Sequence, residues 1–230
     1  MVQYKDGNIF LKVVYYGMAG SGKTTILETL YNLTKEGKRE LIPVVELQKI
    51  DKTSGATLYF DRGIFQSTKK RTVYYRVYTV AGQKGFSSLR TKVFNKLDAE
   101  TDSVIFVADS QVKYFEDNIE FLLELKSITN QRLIKEIPLI IMLNKQDLRN
   151  IIDDNDFIQI LKQENLWYDP KHELYIWNPL VYKTCALPEQ EKDIYRSFYE
   201  IARRTGLYHI YGDGKAPIDK KFSDTSILTT

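Results

Sequence analysis

Two short stretches hold groups whose type and spacing can do chemistry. Gly17–Thr24 reads GMAGSGKT and fits G-x-x-x-x-G-K-[ST]. Glycines so placed let the backbone curl until successive N–H groups point inward, and a lysine and a hydroxyl follow where a helix begins. Such a loop cradles phosphate. Its N–H groups and the helix terminus supply partial positive charge, and Lys23 reaches the β- and γ-phosphates of a nucleotide. On this reading Gly17, Ala19, Gly20, Ser21 and Gly22 form the cradle, Thr24 ligates Mg²⁺ and Thr25 meets the α-phosphate. The second stretch, Asn144-Lys145-Gln146-Asp147, selects the base. An aspartate carboxylate accepts two hydrogen bonds from the guanine N1–H and exocyclic amine. Adenine offers no such pair, and a carboxylate left unpaired is costly. Asn144 is expected to tie this loop to its neighbours, with the Lys145 stem against the base. Cys185, Ala186 and Leu187 follow a later apolar run, and their backbone N–H groups suit the guanine carbonyl oxygen. The Cys185 side chain then needs no chemistry of its own and reads as a small buried apolar group.

These residues need a scaffold that brings strand ends together. Apolar, β-rich runs alternate with segments of helical period, the pattern of an α/β fold with a mainly parallel sheet and helices on both faces. Six strands are expected: Ile9–Tyr16, Thr57–Asp61, Thr72–Thr79, Ser103–Ala108, Ile137–Leu143 and Pro179–Thr184. Lys23–Leu33 and Tyr114–Ile128 carry one apolar face each and predict helices. A last helix is expected over Glu189–Arg204, stopping at Gly206. The phosphate loop lies between a strand and a helix, and both base-facing stretches follow strands, where open α/β sheets bind ligands. Leu166–Trp177 (LWYDPKHELYIW) lengthens the connection between the two base-facing loops and reads as a packed excursion.

The bulk properties exclude other classes. The 230 residues carry a formal net charge of +3, with Lys and Arg scattered, so no basic face points to nucleic acid. One cysteine cannot form an internal disulfide, which suits a reducing compartment. No apolar run of membrane-spanning length occurs. Met1-Val2-Gln3-Tyr4 has neither a signal peptide nor a second-position glycine, and Ser226–Thr230 has no prenylatable cysteine. The expectation is a cytoplasmic protein without lipid anchor or transmembrane segment. His172 and His209 lack neighbours at metal-ligand spacing.

With these motifs in place, Phe10 to about Leu207 resembles the Ras-like small GTPases, a P-loop NTPase fold. Tyr78-Thr79-Val80-Ala81-Gly82-Gln83 looks like that superfamily's D-x-x-G-Q element with Thr79 at the aspartate position. That replacement, Val14-Tyr15-Tyr16-Gly17, Phe106–Gln111 (FVADSQ) and Asp117–Glu120 (DNIE) are similar to the prokaryotic gliding-motility and polarity GTPases, the MglA-like group. Asn144–Asp147 and Thr184–Ala186 look more Arf-like. The resemblance implies a G domain over 1–207 and a C-terminal tail over 208–230. It implies a GTP/GDP switch in which the Gly82 N–H meets the γ-phosphate, Gln83 orients the attacking water and Thr57 closes over Mg²⁺, with Thr53 as alternative. Ala56 stands where the MglA-like group has an arginine, so a charge-neutralising finger is not evident; Arg62, Arg71 and Arg90 read as solvated surface residues. The resemblance also implies an effector and a GTPase-activating partner, as the roadblock class (MglB-like) provides. Two other readings stay open: a nucleotide-binding scaffold without hydrolysis, suggested by Thr79, and a metabolic P-loop kinase, which Asp147 disfavours.

Overall fold

The computed structural model describes residues 3–50, 60–95 and 100–218. Thr53, Ala56 and Thr57 lie outside the described residues, as does most of the Thr57–Asp61 segment expected to be extended. The structural core is one mixed sheet. Its central strands are β2 (Asn8–Tyr16), β7 (Ser103–Asp109) and β8 (Leu139–Asn144), flanked by β6 (Val73–Thr79) on one side and β9 (Leu180–Lys183) on the other. All four pairings among these five strands are parallel. β5 (Phe60–Ser67) adds antiparallel to β6.

Five of those strands, β2, β6, β7, β8 and β9, are ones the sequence predicts. β5 shares only Phe60 and Asp61 with the expected Thr57–Asp61 and runs on to Ser67, through residues not expected to be extended, and the described sheet has nine strands. The additional β1 (Gln3–Lys5), β3 (Leu41–Pro43) and β4 (Gln48–Ile50) are three residues each and pair antiparallel. Three residues contain too little alternation to register as a strand. β1 covers the first third of β2, Asn8–Phe10, whereas β7 joins β2 only from Val13 onward.

Side-chain alternation builds two cores, one on each sheet face. Val14 and Tyr16, Phe106 and Ala108, and Ile141 and Leu143 face one side. There they meet α2 (Ser87–Asn95), α3 (Phe115–Ile128) and α4 (Asp154–Gln163) through Phe94, Leu122 and Phe157. Val13, Tyr15, Ile105, Val107, Ile140 and Met142 face the other. α1 (Lys23–Lys35) and α5 (Ile194–Tyr211) cover that side with Ile26, Leu30, Phe198 and Ile201. Burial on both faces explains why β7 and β8 are continuous apolar runs.

Two helix expectations need correction. The last helix begins at Ile194, not Glu189, and passes through Gly206 to Tyr211. Glycine weakens a helix by about 1 kcal/mol, which the burial of Tyr208 outweighs. That ring packs edge-on against Trp177 at 5.0 Å, and its hydroxyl donates to the Ile134 carbonyl at 2.6 Å. Trp177 Nε1–H donates to the Pro217 carbonyl and the Ala216 N–H to the Lys135 carbonyl, each at 2.8 Å, so 212–217 lies against the body. The aromatic excursion is therefore packed, as expected. Among the described residues no helix is long and apolar enough to cross a membrane.

Candidate functional site

The carboxyl ends of five strands, β2, β6, β7, β8 and β9, meet along one sheet edge, and the loops leaving them are bonded to one another. The phosphate loop follows β2. Gly20 and Gly22 adopt φ of 77° and 99°. A side chain on Gly22 would overlap Asn144 Nδ2, and one on Gly17 would overlap the Val107 carbonyl oxygen. Gly17→Ala is thus expected to destabilise the fold by about 3 kcal/mol or more, read as a lower denaturant midpoint; an unchanged midpoint would mean the loop can back away from β7.

Lys23 opens α1 and folds back into its own loop. Its ammonium donates to the Gly17 and Met18 carbonyls at 2.9 and 2.7 Å, with Ser21 Oγ at 3.5 Å. Burial, followed by the Arg90 charge, pulls its pKa down to about 7. No carboxylate among the described residues partners it. Thr24 is exposed in the first turn of α1, and Thr25 is half-buried.

Gly82 of the loop after β6 rests on the phosphate loop. Its carbonyl accepts the Ala19 N–H at 2.8 Å, and a Cβ there would overlap the backbone of Met18 and Ala19. Gln83 is exposed beside it. Thr79, buried at the end of β6 and paired with Tyr15, puts no carboxylate at that position. Among the described residues no group of three or more His, Cys, Asp or Glu could hold a metal.

Asn144 joins the phosphate loop to the base-facing loops: its Nδ2 donates to the Ser21 carbonyl at 2.9 Å and its Oδ1 accepts the Thr184 hydroxyl at 3.2 Å. Asp147 is exposed, and the Cys185 thiol donates to its Oδ1 at 3.4 Å. Burial and the Asp147 charge push the Cys185 thiol up, so it stays protonated as a donor. Ala186 is buried, with its carbonyl accepting Thr29 Oγ1–H at 2.6 Å, while Leu187 is exposed. The structure thus brings together the phosphate loop, Gly82, Gln83, Asn144, Lys145, Asp147, Cys185, Ala186 and Leu187; Thr57 lies outside the described residues.

Three residues escaped the sequence reading. Asp109, buried at the end of β7, takes the Lys145 ammonium at 2.6 Å, and Asn118 of α3 clamps the Asp109 backbone with two hydrogen bonds. Lys145 is therefore oriented by an ion pair at the site edge. Arg90 is the third and a correction: it is only 1% exposed. It sits on α2, whose sole sequence signal is the Leu89, Val93, Phe94 spacing. Arg62 is half-buried with its guanidinium 5.6 Å from the Tyr78 ring, and only Arg71 is exposed as expected.

A strand–phosphate loop–helix unit, tied through Asn144 to a base-facing loop on a mainly parallel sheet covered on both faces, defines a small GTPase domain. The model of the ADP-ribosylation factor (Arf) family matches residues 2–197, and the chain belongs to that family. It is also similar to the mutual gliding-motility protein MglA of Myxococcus xanthus (strain DK1622), 32% identical over 173 residues that cover 72% of this chain and 82% of that protein.

Proposed function

We propose that this protein is a GTP/GDP-dependent switch that binds guanine nucleotide with Mg²⁺ and hydrolyses GTP slowly unless a partner assists. The observation that carries this reading is Lys23: a buried ammonium facing backbone carbonyls, with no carboxylate partner among the described residues, at the mouth of a loop built from positive-φ glycines. Such a group gains most from an arriving polyanion. The site also suits Mg²⁺, which is held through one or two protein oxygens while phosphates and waters complete its octahedron. Thr24 supplies such an oxygen, and Thr57 is the candidate for a second. When bound, the ion neutralises charge developing on the phosphates.

Asp147 reads the guanine edge, with the Cys185 thiol and Asn144 holding the loop around it. Gln83 orients the attacking water, and Gly82 carries the N–H that senses the γ-phosphate. Ala56 leaves no arginine before the switch threonine. Arg62 lies over Tyr78, and Arg90 is committed to backbone and Glu124. Arg71 precedes β6 at the sheet end away from the site. The fast step therefore depends on a second protein, of the roadblock class that serves MglA-like GTPases, which supplies or aligns an arginine worth roughly 10³ to 10⁵ in rate. A cytoplasmic location fits this role. Thr79 is the one feature that favours the alternative, a nucleotide-loaded scaffold.

Single-turnover hydrolysis of bound GTP separates the two. The switch reading expects measurable loss of GTP in the free protein. It expects Gln83→Leu to cut hydrolysis at least about 100-fold while leaving GTP affinity intact. No hydrolysis in either protein, alone or with an activator, would leave the scaffold.

A further inference from the structure

Arg90 spends all three guanidinium nitrogens inside the protein. Nη1 donates to the carbonyls of Ala81 and Gln83 at 2.9 and 2.7 Å. Nη2 and Nε donate to Glu124 Oε1 of α3 at 2.8 and 3.1 Å, and Nη2 also reaches the Lys84 carbonyl at 3.5 Å. Beneath lies the Phe121 ring, 4.9 Å away. Burial pushes the Glu124 carboxyl up, but hydrogen bonds from Arg90 and Ser87 outweigh that and hold it below its ordinary value, so the pair stays ionised. A second link runs alongside: Lys84 pairs with Asp117 at 3.0 Å and Glu120 at 2.6 Å. Asp117, Glu120 and Glu124, spaced three and four apart, form one acidic stripe on α3 that faces the loop after β6.

The geometry fixes three successive peptide planes. In a trans peptide the carbonyl and the N–H point in opposite directions. Drawing the Ala81 carbonyl onto Arg90 therefore aims the Gly82 N–H away from it. The next carbonyl, of Gly82, takes the Ala19 N–H of the phosphate loop. The third, of Gln83, returns to Arg90. Every peptide unit around Gly82 and Gln83 is thus oriented by Arg90 or by the phosphate loop. Only a planar fork with several donors can bridge two carbonyls and a carboxylate in this way; a lysine ammonium cannot.

We propose that Arg90, anchored by Glu124, is a positioning residue for GTP hydrolysis: it sets the direction of the Gly82 N–H and the place of Gln83 without touching nucleotide. This rests on the switch reading, and the test separates the two. Three quantities are measured for wild type, Arg90→Lys and Glu124→Gln: GDP affinity with a fluorescent nucleotide, single-turnover GTP hydrolysis, and hydrogen exchange over 80–92. Arg90→Lys keeps the charge but loses the fork. It is expected to slow hydrolysis about 10- to 100-fold, the scale of an ångström-sized misplacement, with GDP affinity within about threefold and faster exchange over 80–92. Glu124→Gln, which frees the arginine while preserving size, is expected to shift both readouts in the same direction by a smaller factor, and carries the comparison should Arg90→Lys fail to fold. Hydrolysis within threefold of wild type in the folded variants overturns the proposal. So does a loss of hydrolysis that tracks an equal loss of GDP affinity and Tm, the mark of a merely structural role. A wild type that hydrolyses no GTP would defeat the switch reading instead; the exchange arm would then decide the clamp, unchanged protection over 80–92 overturning it.

Discussion

Replacing Lys23 with alanine is expected to weaken GDP and GTP binding by about a thousandfold or more, equivalent to about 4 kcal/mol. The lysine is buried beside its own loop, and its ammonium is held by the Gly17 and Met18 carbonyls. Charge-assisted hydrogen bonds in a site with little water are among the strongest a protein makes. An alanine would take the cation from the β- and γ-phosphates and also release two carbonyls that shape the cradle. The Arg90 charge, which disfavours a second cation nearby, would not compensate, because its donors are committed elsewhere. Circular dichroism should show a folded variant, since burying an ammonium is itself unfavourable. Fluorescent-nucleotide titration reads the loss; affinity within tenfold of wild type would mean the loop is only a turn.

Asp147→Asn carries the second large effect. A carboxylate accepts from both the N1–H and the amine of guanine, whereas an asparagine amide accepts from one and presents its own N–H₂ to the other. Sites built to hydrogen-bond a polar group reject the mismatched analogue strongly. GDP affinity should fall about 10²- to 10⁴-fold, and xanthosine diphosphate, with a carbonyl where guanine has its amine, should gain. The Cys185 thiol can still donate to the asparagine oxygen, so the loop geometry should survive. Titration of both diphosphates checks this. An Asp147→Asn variant that binds GDP as well as wild type would show that the carboxylate does not read the base.

The motifs were legible because they combine a fixed spacing with a required backbone. GMAGSGKT fits one kind of loop, and Asn144 follows an apolar run that could only be a buried strand. β7 and β8 were legible because burial on both faces leaves a nearly continuous apolar run, and β2 because Lys12 is the one charged residue between Ile9 and Tyr16. What stayed hidden depends on chain reversal. Asp109 and Lys145 are 36 positions apart, as are Lys84 and Glu120, and nothing local marks them as partners. Arg90 looked solvated because an arginine on a short, weakly amphipathic helix usually is; its burial follows from Glu124 and Phe121 on a neighbouring helix. The three-residue strands were missed because pairing, not pattern, defines them. Gly206 misled because tertiary packing of Tyr208 overrode a local helix-stop signal.

The most direct test of the central claim is nucleotide competition. Wild-type protein loaded with fluorescent GDP and Mg²⁺ is challenged in turn with GTP, GDP, ATP and ADP. Displacement by the guanine nucleotides at concentrations at least about a thousandfold lower than the adenine nucleotides is the predicted result. Equal displacement by ATP and GTP would contradict it.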